Sequence, residues 1–254
     1  VFTKGGFVGF PVAVAAWLLR RPLILHESDS VMGLANRLTA RMAGAVCTAF
    51  PEVYSSPKTT LTGNPVRRSI AQGDRTRGYS LTGFTRDLPV VLIWGGSQGA
   101  QEVNDLVAAN FNDLVTHFQV VHVTGSGKSI ALQHPHYYPV DYLAEPLADI
   151  YSITNFVVGR AGANSLFELA FLQKPNILVP LASAAHDHQN RNARVFEKAG
   201  ASLVLRDPRE LVGTLVRLSG DSIAQQRMRD ALGRLAQPDC ARQIAQLILN
   251  PRFS

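Results

Sequence analysis

A glycine-rich turn in the second half of the chain could bind a phosphate group. Residues 95–100 follow the apolar segment 89–94 and precede a helical pattern. Glycine lets backbone N–H groups approach an anion closely, and a helix N-terminus carries about half a positive charge. Because the spacing G-x-G-x-x-G is absent, the turn is not a dinucleotide fingerprint. It predicts contact with a diphosphate or nucleotide; the alternative is a tight turn that needs glycine for its backbone angles.

A second strand–turn–helix segment, residues 159–168, carries two polar side chains that suit a nucleotide. Ser165 and the helix N-terminus could contact a phosphate, and Glu168, one turn later, could accept hydrogen bonds from both hydroxyls of a ribose. The alternative is a capping box, in which Ser165 and Glu168 satisfy N–H groups of the first helical turn. Because two glycine turns lie in the same half of the chain, we favour a nucleotide site.

Polar side chains also follow an apolar segment in the first half. His26, Glu27 and Asp29 come at the carboxyl end of the predicted strand 23–26. Acid–base chemistry needs such groups at a cleft, and a loop that caps the next helix has the same residue types. Arg67 follows a Gly-Asn-Pro turn. It could reach a carboxylate or phosphate, or be an ordinary surface arginine.

An apolar, aromatic segment near the start of the chain ends in a basic pair. Its residues are Phe7, Phe10 and Trp17, followed by Arg20 and Arg21. Aromatic residues beside arginines suit the headgroup layer of an anionic bilayer; a core helix with a solvated end is the alternative. The longest apolar run is about half of the ~20 residues that span a bilayer. The sequence therefore predicts a soluble protein that can lie on a membrane.

The histidines and cysteines do not form a recognisable metal site. His186 and His188 lie two residues apart, but no third ligand has a recognisable spacing. Their loop suits hydrogen bonds to a polar ligand such as a sugar. Cys47 and Cys240 can form neither a disulfide framework nor a four-cysteine zinc site. We therefore expect no metal and a reducing, cytosolic setting.

The composition indicates a folded protein with an anionic partner. Of 254 residues, 46% are hydrophobic and 17% are charged, which excludes a disordered chain. The 25 Lys and Arg residues exceed the 19 Asp and Glu residues, so the formal net charge is +6. This favours nucleotides, nucleic acid or acidic lipid. Because the arginines are spread out and no helix–turn–helix, RNA-recognition or zinc pattern occurs, we expect no nucleic-acid partner.

Short apolar runs alternate with glycine-containing loops and helical patterns, which is typical of βα units on a parallel sheet. The predicted strands are residues 23–26, 45–49, 59–62, 89–94, 118–124, 156–158, 176–179 and 202–205. The predicted helices are residues 11–19, 34–43, 101–109, 165–171, 189–199, 222–235 and 240–249. The pattern predicts two doubly wound α/β domains with a cleft between them.

A stretch rich in glycine and charge separates the two halves, and its composition is typical of a linker. We predict a first domain at residues 1–72, a linker at 73–87 and a second domain at 88–254, whose last helix can pack back on the first domain. The chain starts on a pattern typical of the end of a strand before a glycine loop. We therefore expect a preceding segment and an incomplete first domain.

Taken together, these motifs resemble the MurG family of bacterial N-acetylglucosaminyltransferases, in glycosyltransferase family 28. The matching motifs are Lys4-Gly5-Gly6-Phe7, His26-Glu27, residues 63–67, residues 95–99, Arg160-Ala161-Gly162, Glu168, residues 187–190 and Asn192-Ala193. The resemblance implies the GT-B architecture, two Rossmann-like doubly wound parallel-sheet domains with an inter-domain cleft. It also implies inverting transfer of N-acetylglucosamine from UDP-N-acetylglucosamine to the muramoyl 4-hydroxyl of a polyprenyl-diphosphate-linked muramoyl pentapeptide. This is a step of peptidoglycan synthesis, and no cofactor is expected.

The resemblance assigns substrate contacts by position in the chain. The nucleotide positions are Ser97 and Gln98 at the diphosphate, Ala144 at the uracil, Gly162 and Ser165 in the second glycine turn, and Glu168 at the ribose. The sugar positions are Gln189 and Asn190 at the N-acetylglucosamine hydroxyls and Arg67 near the transferred sugar. Trp17 falls in an apolar, basic-rimmed patch, which implies a peripheral location on an anionic membrane surface at the cytoplasmic face.

Two departures from the family pattern concern the first half of the chain. A glycine-rich loop ending in histidine would precede Val1, so the acceptor site and the general base stay open. The family usually has His-Glu-Gln-Asn where this chain has His26-Glu27-Ser28-Asp29. The aspartate adds negative charge near two diphosphates.

Two other functions fit the same architecture, a UDP-sugar 2-epimerase and a nucleotide-binding fragment without activity. The apolar, arginine-rimmed segment 7–21 has no purpose in an epimerase that acts on a soluble nucleotide. We therefore favour the transferase, with His26, Glu27 and Asp29 as candidate catalytic residues.

Overall fold

The computed structural model describes residues 1–96, 100–128, 131–180 and 187–250. They form two compact units, one of residues 1–66 with the segment from Leu235 onward, the other of residues 67–234. Each unit is built on a parallel sheet flanked by helices. The predicted α/β class with two parallel sheets is therefore confirmed.

The elements follow one another along the chain in βα alternation. The strands are β1 (Phe2–Thr3), β2 (Ile24–Glu27), β3 (Ala45–Thr48), β4 (Thr59–Leu61), β5 (Val90–Trp94), β6 (Gln119–Val123), β7 (Tyr137–Val140), β8 (Phe156–Gly159), β9 (Asn176–Leu178) and β10 (Leu203–Val204). The helices are α1 (Gly6–Leu18), α2 (Leu34–Met42), α3 (Arg75–Thr82), α4 (Gln101–Ala109), α5 (Phe111–His117), α6 (Leu147–Ile153), α7 (Ala163–Leu172), α8 (Asp187–Lys198), α9 (Leu211–Gly220), α10 (Ser222–Leu235) and α11 (Cys240–Leu249). Two 3₁₀ turns lie at Arg68–Ala71 and Pro208–Glu210.

The first unit has the strand order β1-β2-β3-β4. Successive side chains of a strand point to opposite faces of the sheet. Leu25 and Val46 face α1 and α2 and share a buried cluster with Ala13 and Ala40.

The last helix, α11, covers the other face of this first sheet. Ile24 of β2 and Cys47 of β3 form a buried cluster with Cys240 and Ile244 of α11. The C-terminal helix thus belongs to the same compact unit as the N-terminal strands.

The second unit has the strand order β10-β9-β8-β5-β6-β7. The chain adds β6 and β7 on one side of β5 and then returns to add β8, β9 and β10 on the other side. In doubly wound sheets the crevice for a ligand opens at this switch point, beyond the carboxyl ends of the two strands. Here those ends are Trp94 of β5 and Gly159 of β8, which are paired in register. The ligand crevice of this unit is therefore expected between them.

The stretch predicted as a linker, residues 73–87, differs from that expectation, because it contains α3 and belongs to the second compact unit. Its glycines serve close packing: a Cβ on Gly73 would lie 1.9 Å from the carbonyl oxygen of Ala148, and one on Gly78 would lie 2.5 Å from that of Asp149. Arg77 adds an ion pair with Asp149 at 2.8 Å. The glycines and the charged Arg77 of this stretch, a composition typical of flexible linkers, therefore make contacts with α6.

The first helix also begins earlier than predicted. α1 starts at Gly6, so Pro11 lies inside the helix and not in its first turn. An interior proline removes the N–H that would bond the carbonyl of residue i−4. The helix tolerates this position on its exposed side, where water can reach the backbone.

Candidate functional site

The N-terminus of α7 opens at the switch point of the second sheet. Gly162 caps the helix with extended backbone angles, and its carbonyl accepts the first helical hydrogen bond, from the N–H of Leu166 at 3.0 Å. The first turn of α7 contains no acidic residue. Its partial positive charge is therefore available to an anion in the crevice.

Glycine at position 159 lets the two central strands approach each other closely. A Cβ on Gly159 would lie 2.8 Å from the carbonyl oxygen of Trp94. A small cleft lies above these strand ends, and it is lined by Trp94, Tyr151, Val157, Gly159, Arg160, Ser165 and Leu169. The predicted substrate residue Ser165 thus lies at the switch point, together with two aromatic residues that sequence reasoning missed.

The capping-box alternative for Ser165 and Glu168 is wrong. Because Gly162 is the N-cap, Ser165 is the third residue of α7 and Glu168 the sixth. A capping box needs the serine at the N-cap itself. Glu168 instead forms a side-chain hydrogen bond with Tyr151 of α6.

Burial and two neighbouring groups act on the Glu168 carboxyl group in opposite directions, and their net effect raises its pKa. The residue is half-buried, and burial raises the pKa of its carboxyl group. The positive charge of Arg67 and the hydrogen bond with Tyr151 lower the same pKa and so favour the carboxylate. Burial also raises the pKa of Tyr151 well above its ordinary value, so that the phenol keeps its proton and donates it. Glu168 therefore accepts a hydrogen bond from Tyr151 and has further lone pairs available to a ligand.

Arg67 and Ala144, two of the residues assigned to the substrate, line one cavity of the second unit. Its volume is about 450 Å³, and its wall also includes Gln72 and Glu145. Ligand sites in proteins have volumes of roughly 300–1,000 Å³. Residues assigned separately to uracil and sugar are thus brought to a single cavity large enough for a nucleoside.

The first turn of α8 is tied to the end of β8. Arg160 donates from Nε to Oε1 of Gln189 at 3.1 Å, and the buried Asn192 donates to the carbonyl oxygen of Ala161 at 3.3 Å. Gln189 and Asn190 are both half-buried. These contacts hold the two residues assigned to the sugar beside the turn that precedes α7.

Three residues named in the sequence analysis lie outside the described residues. They are Ser97, Gln98 and His186. Within the described ranges, no group of three histidine, cysteine, aspartate or glutamate side chains is arranged to hold a metal ion.

In the first unit, His26 and Glu27 are interior side chains. His26 is fully buried and donates from Nε2 to the carbonyl oxygen of Gly63 at 2.9 Å; burial lowers its pKa. Glu27 accepts from the N–H of Asp29 at 3.0 Å and from Nδ2 of Asn36 at 2.7 Å. Burial raises the pKa of Glu27. Both side chains hold loops at the carboxyl ends of strands, and their acid–base role stays a prediction.

Asn36 joins this network to the glycine turn after β1. Its Oδ1 accepts from the N–H of Gly6 at 2.9 Å. A Cβ on Gly5, whose φ is +76°, would lie 1.8 Å from the same oxygen. The asparagine sits inside α2, where no motif distinguishes it, so sequence reasoning missed it.

The apolar segment near the start of the chain forms an exposed face on α1 and α2. Phe7 is 93% exposed and Trp17 is 56% exposed, whereas Phe10 is half-buried. The other exposed apolar side chains here are Val8, Val12, Leu18, Leu19, Leu34 and Leu38. Arg20 and Arg21, just beyond α1, are also exposed. The core-helix alternative is therefore wrong for this face. Among the described residues, no helix has the length and hydropathy needed to cross a bilayer.

Family models match both units. The model of the glycosyltransferase family 28 C-terminal domain matches residues 90–244, and that of the family 28 N-terminal domain matches residues 1–48. The first match alone covers more than half of the chain.

Among curated proteins, the chain is similar to a UDP-N-acetylglucosamine–N-acetylmuramyl-(pentapeptide) pyrophosphoryl-undecaprenol N-acetylglucosamine transferase of Lachnospira eligens. The two are 42% identical over 213 residues, which are 82% of this chain and 60% of that protein. The chain thus spans 60% of the length of this relative.

Among solved structures, the chain is similar to the crystal structure of MurG from Acinetobacter baumannii. The TM-score is 0.76 at 25% identity, covering 98% of this chain and 72% of the other. A putative UDP-N-acetylglucosamine 2-epimerase from Listeria monocytogenes gives a TM-score of 0.71 at 14% identity, with the same coverage of both chains. The second likeness concerns the fold alone.

Proposed function

Because the chain belongs to glycosyltransferase family 28, we propose that it acts in the transfer of N-acetylglucosamine from UDP-N-acetylglucosamine to lipid I, the polyprenyl-diphosphate-linked muramoyl pentapeptide. The two parallel-sheet units have the predicted GT-B type of fold, seen in the MurG structure from Acinetobacter baumannii. The product is lipid II of peptidoglycan synthesis.

One observation carries the sugar-nucleotide half of this proposal. Glu168, the sixth residue of α7, accepts a hydrogen bond from Tyr151, and the positive charge of Arg67 favours its carboxylate form; the N-terminus of the same helix opens at the switch point. A carboxylate can accept hydrogen bonds from both hydroxyls of a ribose. A helix N-terminus can bind the diphosphate of the same nucleotide. The arrangement therefore suits UDP better than a neutral sugar.

The same groups can assist departure of UDP. In the transfer, the acceptor 4-hydroxyl oxygen bonds to the anomeric carbon, the bond from that carbon to the diphosphate oxygen breaks, and the hydroxyl loses its proton. Negative charge develops on the departing diphosphate. The α7 N-terminus and the exposed guanidinium of Arg67 can stabilise this charge. We therefore propose that the chain needs no metal or other cofactor to bind UDP.

The exposed face of α1 and α2 supports a lipid-linked acceptor. Its aromatic and aliphatic side chains, with Arg20 and Arg21 at the end of α1, match the chemistry of a site that enters the headgroup layer of an anionic membrane. We propose a peripheral location at the cytoplasmic face of the membrane, where a polyprenyl diphosphate would lie beside the protein.

Two findings favour a transferase over an epimerase. Identity with the Lachnospira eligens transferase is 42%, against 14% with the Listeria monocytogenes epimerase. An epimerase on a soluble nucleotide also has no use for an apolar face with a basic end.

A product assay with labelled UDP-N-acetylglucosamine tests the proposal. With a lipid I analogue in anionic vesicles, we expect the label in a lipid-linked disaccharide, and no reaction in the absence of the acceptor. Formation of the 2-epimer without acceptor would overturn the transferase. Binding of UDP with neither product would leave the chain a nucleotide-binding fragment and would equally contradict the proposal.

A further inference from the structure

We propose that Tyr151 is a positioning residue that fixes the Glu168 carboxylate for a ribose diol and thereby sets the preference for ribonucleotides over deoxyribonucleotides. This inference rests on the proposed function, because it takes UDP as the ligand of Glu168. Tyr151 is 2% exposed where it lines the small cleft at the switch point, and its proposed effect on nucleotide preference acts through Glu168.

The burial of Tyr151 gives its hydroxyl a defined direction. Only 2% of the residue is exposed, and it packs within α6 among Leu147, Ile150 and Ile153, which are equally buried. A buried hydroxyl without a partner is costly, and this hydroxyl bonds to Glu168. The ring is held by the core, and the hydrogen bond with Glu168 orients its O–H bond.

The hydrogen bond restrains a side chain that would otherwise be mobile. Glutamate has three rotatable side-chain bonds, and ordering such a chain upon binding opposes association. Recognition of two adjacent hydroxyls requires each carboxylate oxygen to point toward one of them. With a hydrogen bond to Tyr151 already in place, the carboxylate has fewer orientations to lose when the nucleotide binds.

The charge of Glu168 depends on the same contact. Among the described residues, the groups that act on the charge of this carboxyl are Arg67, from the segment that precedes the 3₁₀ turn at Arg68–Ala71, through its positive charge, and Tyr151 from α6, through a hydrogen bond. Burial raises the pKa of Glu168, and Arg67 and Tyr151 both lower it. Removing the phenol hydroxyl would therefore raise the pKa of Glu168 and leave Arg67 as its remaining partner among these groups.

The test compares UDP with 2′-deoxy-UDP in calorimetric titrations of the wild type and Tyr151→Phe. We expect the wild type to prefer UDP, and Tyr151→Phe to reduce that preference about three- to tenfold, the effect of one hydrogen bond. The affinity for 2′-deoxy-UDP, which keeps only the 3′-hydroxyl, should fall less than that for UDP. If Tyr151 only supports the fold, its replacement should lower the affinities for both ligands by the same factor, and this result would overturn the inference.

Tyr137→Phe is the matched control. Tyr137 is buried in the same unit, and its hydroxyl bonds to Nδ1 of His122 at 2.8 Å, remote in the chain from Glu168. We expect this variant to keep the wild-type ratio of the two affinities.

The pH dependence of the affinity ratio gives a second readout. Because Glu168 accepts from the diol as a carboxylate, preference for UDP falls at low pH. A raised Glu168 pKa in Tyr151→Phe would move this fall to higher pH. Taking the ratio of UDP to 2′-deoxy-UDP cancels the titration of the diphosphate itself.

Glu168→Gln removes the charge of the other member of the Tyr151–Glu168 pair. This test does not require Tyr151→Phe to fold. Glu168→Gln should abolish most of the preference for UDP, and adding Tyr151→Phe to it should change the ratio no further. Unchanged preference in Glu168→Gln would contradict the inference. Failure of the wild type to bind UDP at all would contradict the proposed function, which separates the two outcomes.

Discussion

Asn36 donates a hydrogen bond of 2.7 Å to the buried carboxyl group of Glu27 and accepts another from the N–H of Gly6. One amide side chain thus joins the loops that follow β1 and β2. The carboxyl ends of these strands are where a doubly wound sheet presents its ligand site. The first unit therefore holds its glycine turn through a buried polar network.

Asn36→Ala tests this network. It removes one of the two hydrogen bonds to the Glu27 carboxyl group and the acceptor of the Gly6 N–H, so we expect the free energy of unfolding to fall by about 1–3 kcal/mol. Urea titration measures the change. Asn112→Ala, an exposed position on α5, is the control and should lie within about 0.5 kcal/mol of the wild type. Equal stabilities of the two variants would contradict the role given to Asn36.

Because His122 is buried, we expect the protein to lose stability in mild acid. It is buried in β6 between Tyr137 and Asn104, and burial lowers its pKa from 6.5 to about 4. A lowered folded-state pKa gives stability that is present above the unfolded value and is lost as pH falls toward the folded value. We expect about 2 kcal/mol of such loss from this residue between pH 7 and pH 5.

His122→Gln should reduce the slope of unfolding free energy against pH over that interval. Its control is His134→Gln, because His134 is exposed. His26, whose pKa burial also lowers, contributes to the slope that remains. A slope unchanged in His122→Gln would show that the residue does not titrate as described.

Much of the fold follows from the sequence, because buried parallel strands leave continuous apolar runs. β5 and β6 were predicted within a residue or two, and α4 with its bounds unchanged. α6 was missed, because a seven-residue helix is too short to show periodicity. Tyr151 was missed with it.

The sequence predicts the parts of the candidate site in which a glycine turn follows a strand. It does not predict contacts between side chains of different helices. Ser165 and Glu168 have the spacing of a capping box, and only the position of Gly162 shows that the helix starts earlier. The hydrogen bond between Glu168 and Tyr151 joins a residue of α7 to one of α6. No local spacing encodes that contact.

Gln189 gives a prediction for the sugar part of the substrate. Because it bonds to Arg160 and was assigned to the N-acetylglucosamine hydroxyls, Gln189→Ala should weaken UDP-N-acetylglucosamine about three- to tenfold and leave UDP affinity unchanged. Competition titrations with the two ligands measure both values. An equal loss for both would place Gln189 at the nucleotide or in the fold, and Gln226→Ala, exposed on α10, controls for the substitution itself.

The exposed face of α1 gives a prediction for membranes. Replacing Phe7 and Val8 by glutamate should lower partition onto anionic vesicles at least tenfold, because burial of one large apolar side chain contributes about 1.5–3 kcal/mol. Arg20→Gln with Arg21→Gln should weaken binding to anionic vesicles and leave zwitterionic vesicles unaffected, at about 1 kcal/mol per charge.

Vesicle sedimentation measures the partition. Ile223→Glu is the control, because Ile223 is exposed on α10 in the other unit. If that control loses as much partition as the Phe7 and Val8 replacements, the face on α1 is not the contact surface.

Glu168 organises the proposed UDP site, and calorimetric titration of UDP in EDTA tests this role most directly. We predict that the wild type binds UDP without a divalent ion. Glu168→Gln should weaken the affinity by roughly 1.5–3 kcal/mol, about ten- to a hundredfold, because it removes a charge-assisted pair of hydrogen bonds. Equal affinities of the wild type and Glu168→Gln, or binding that requires a divalent ion, would contradict the account.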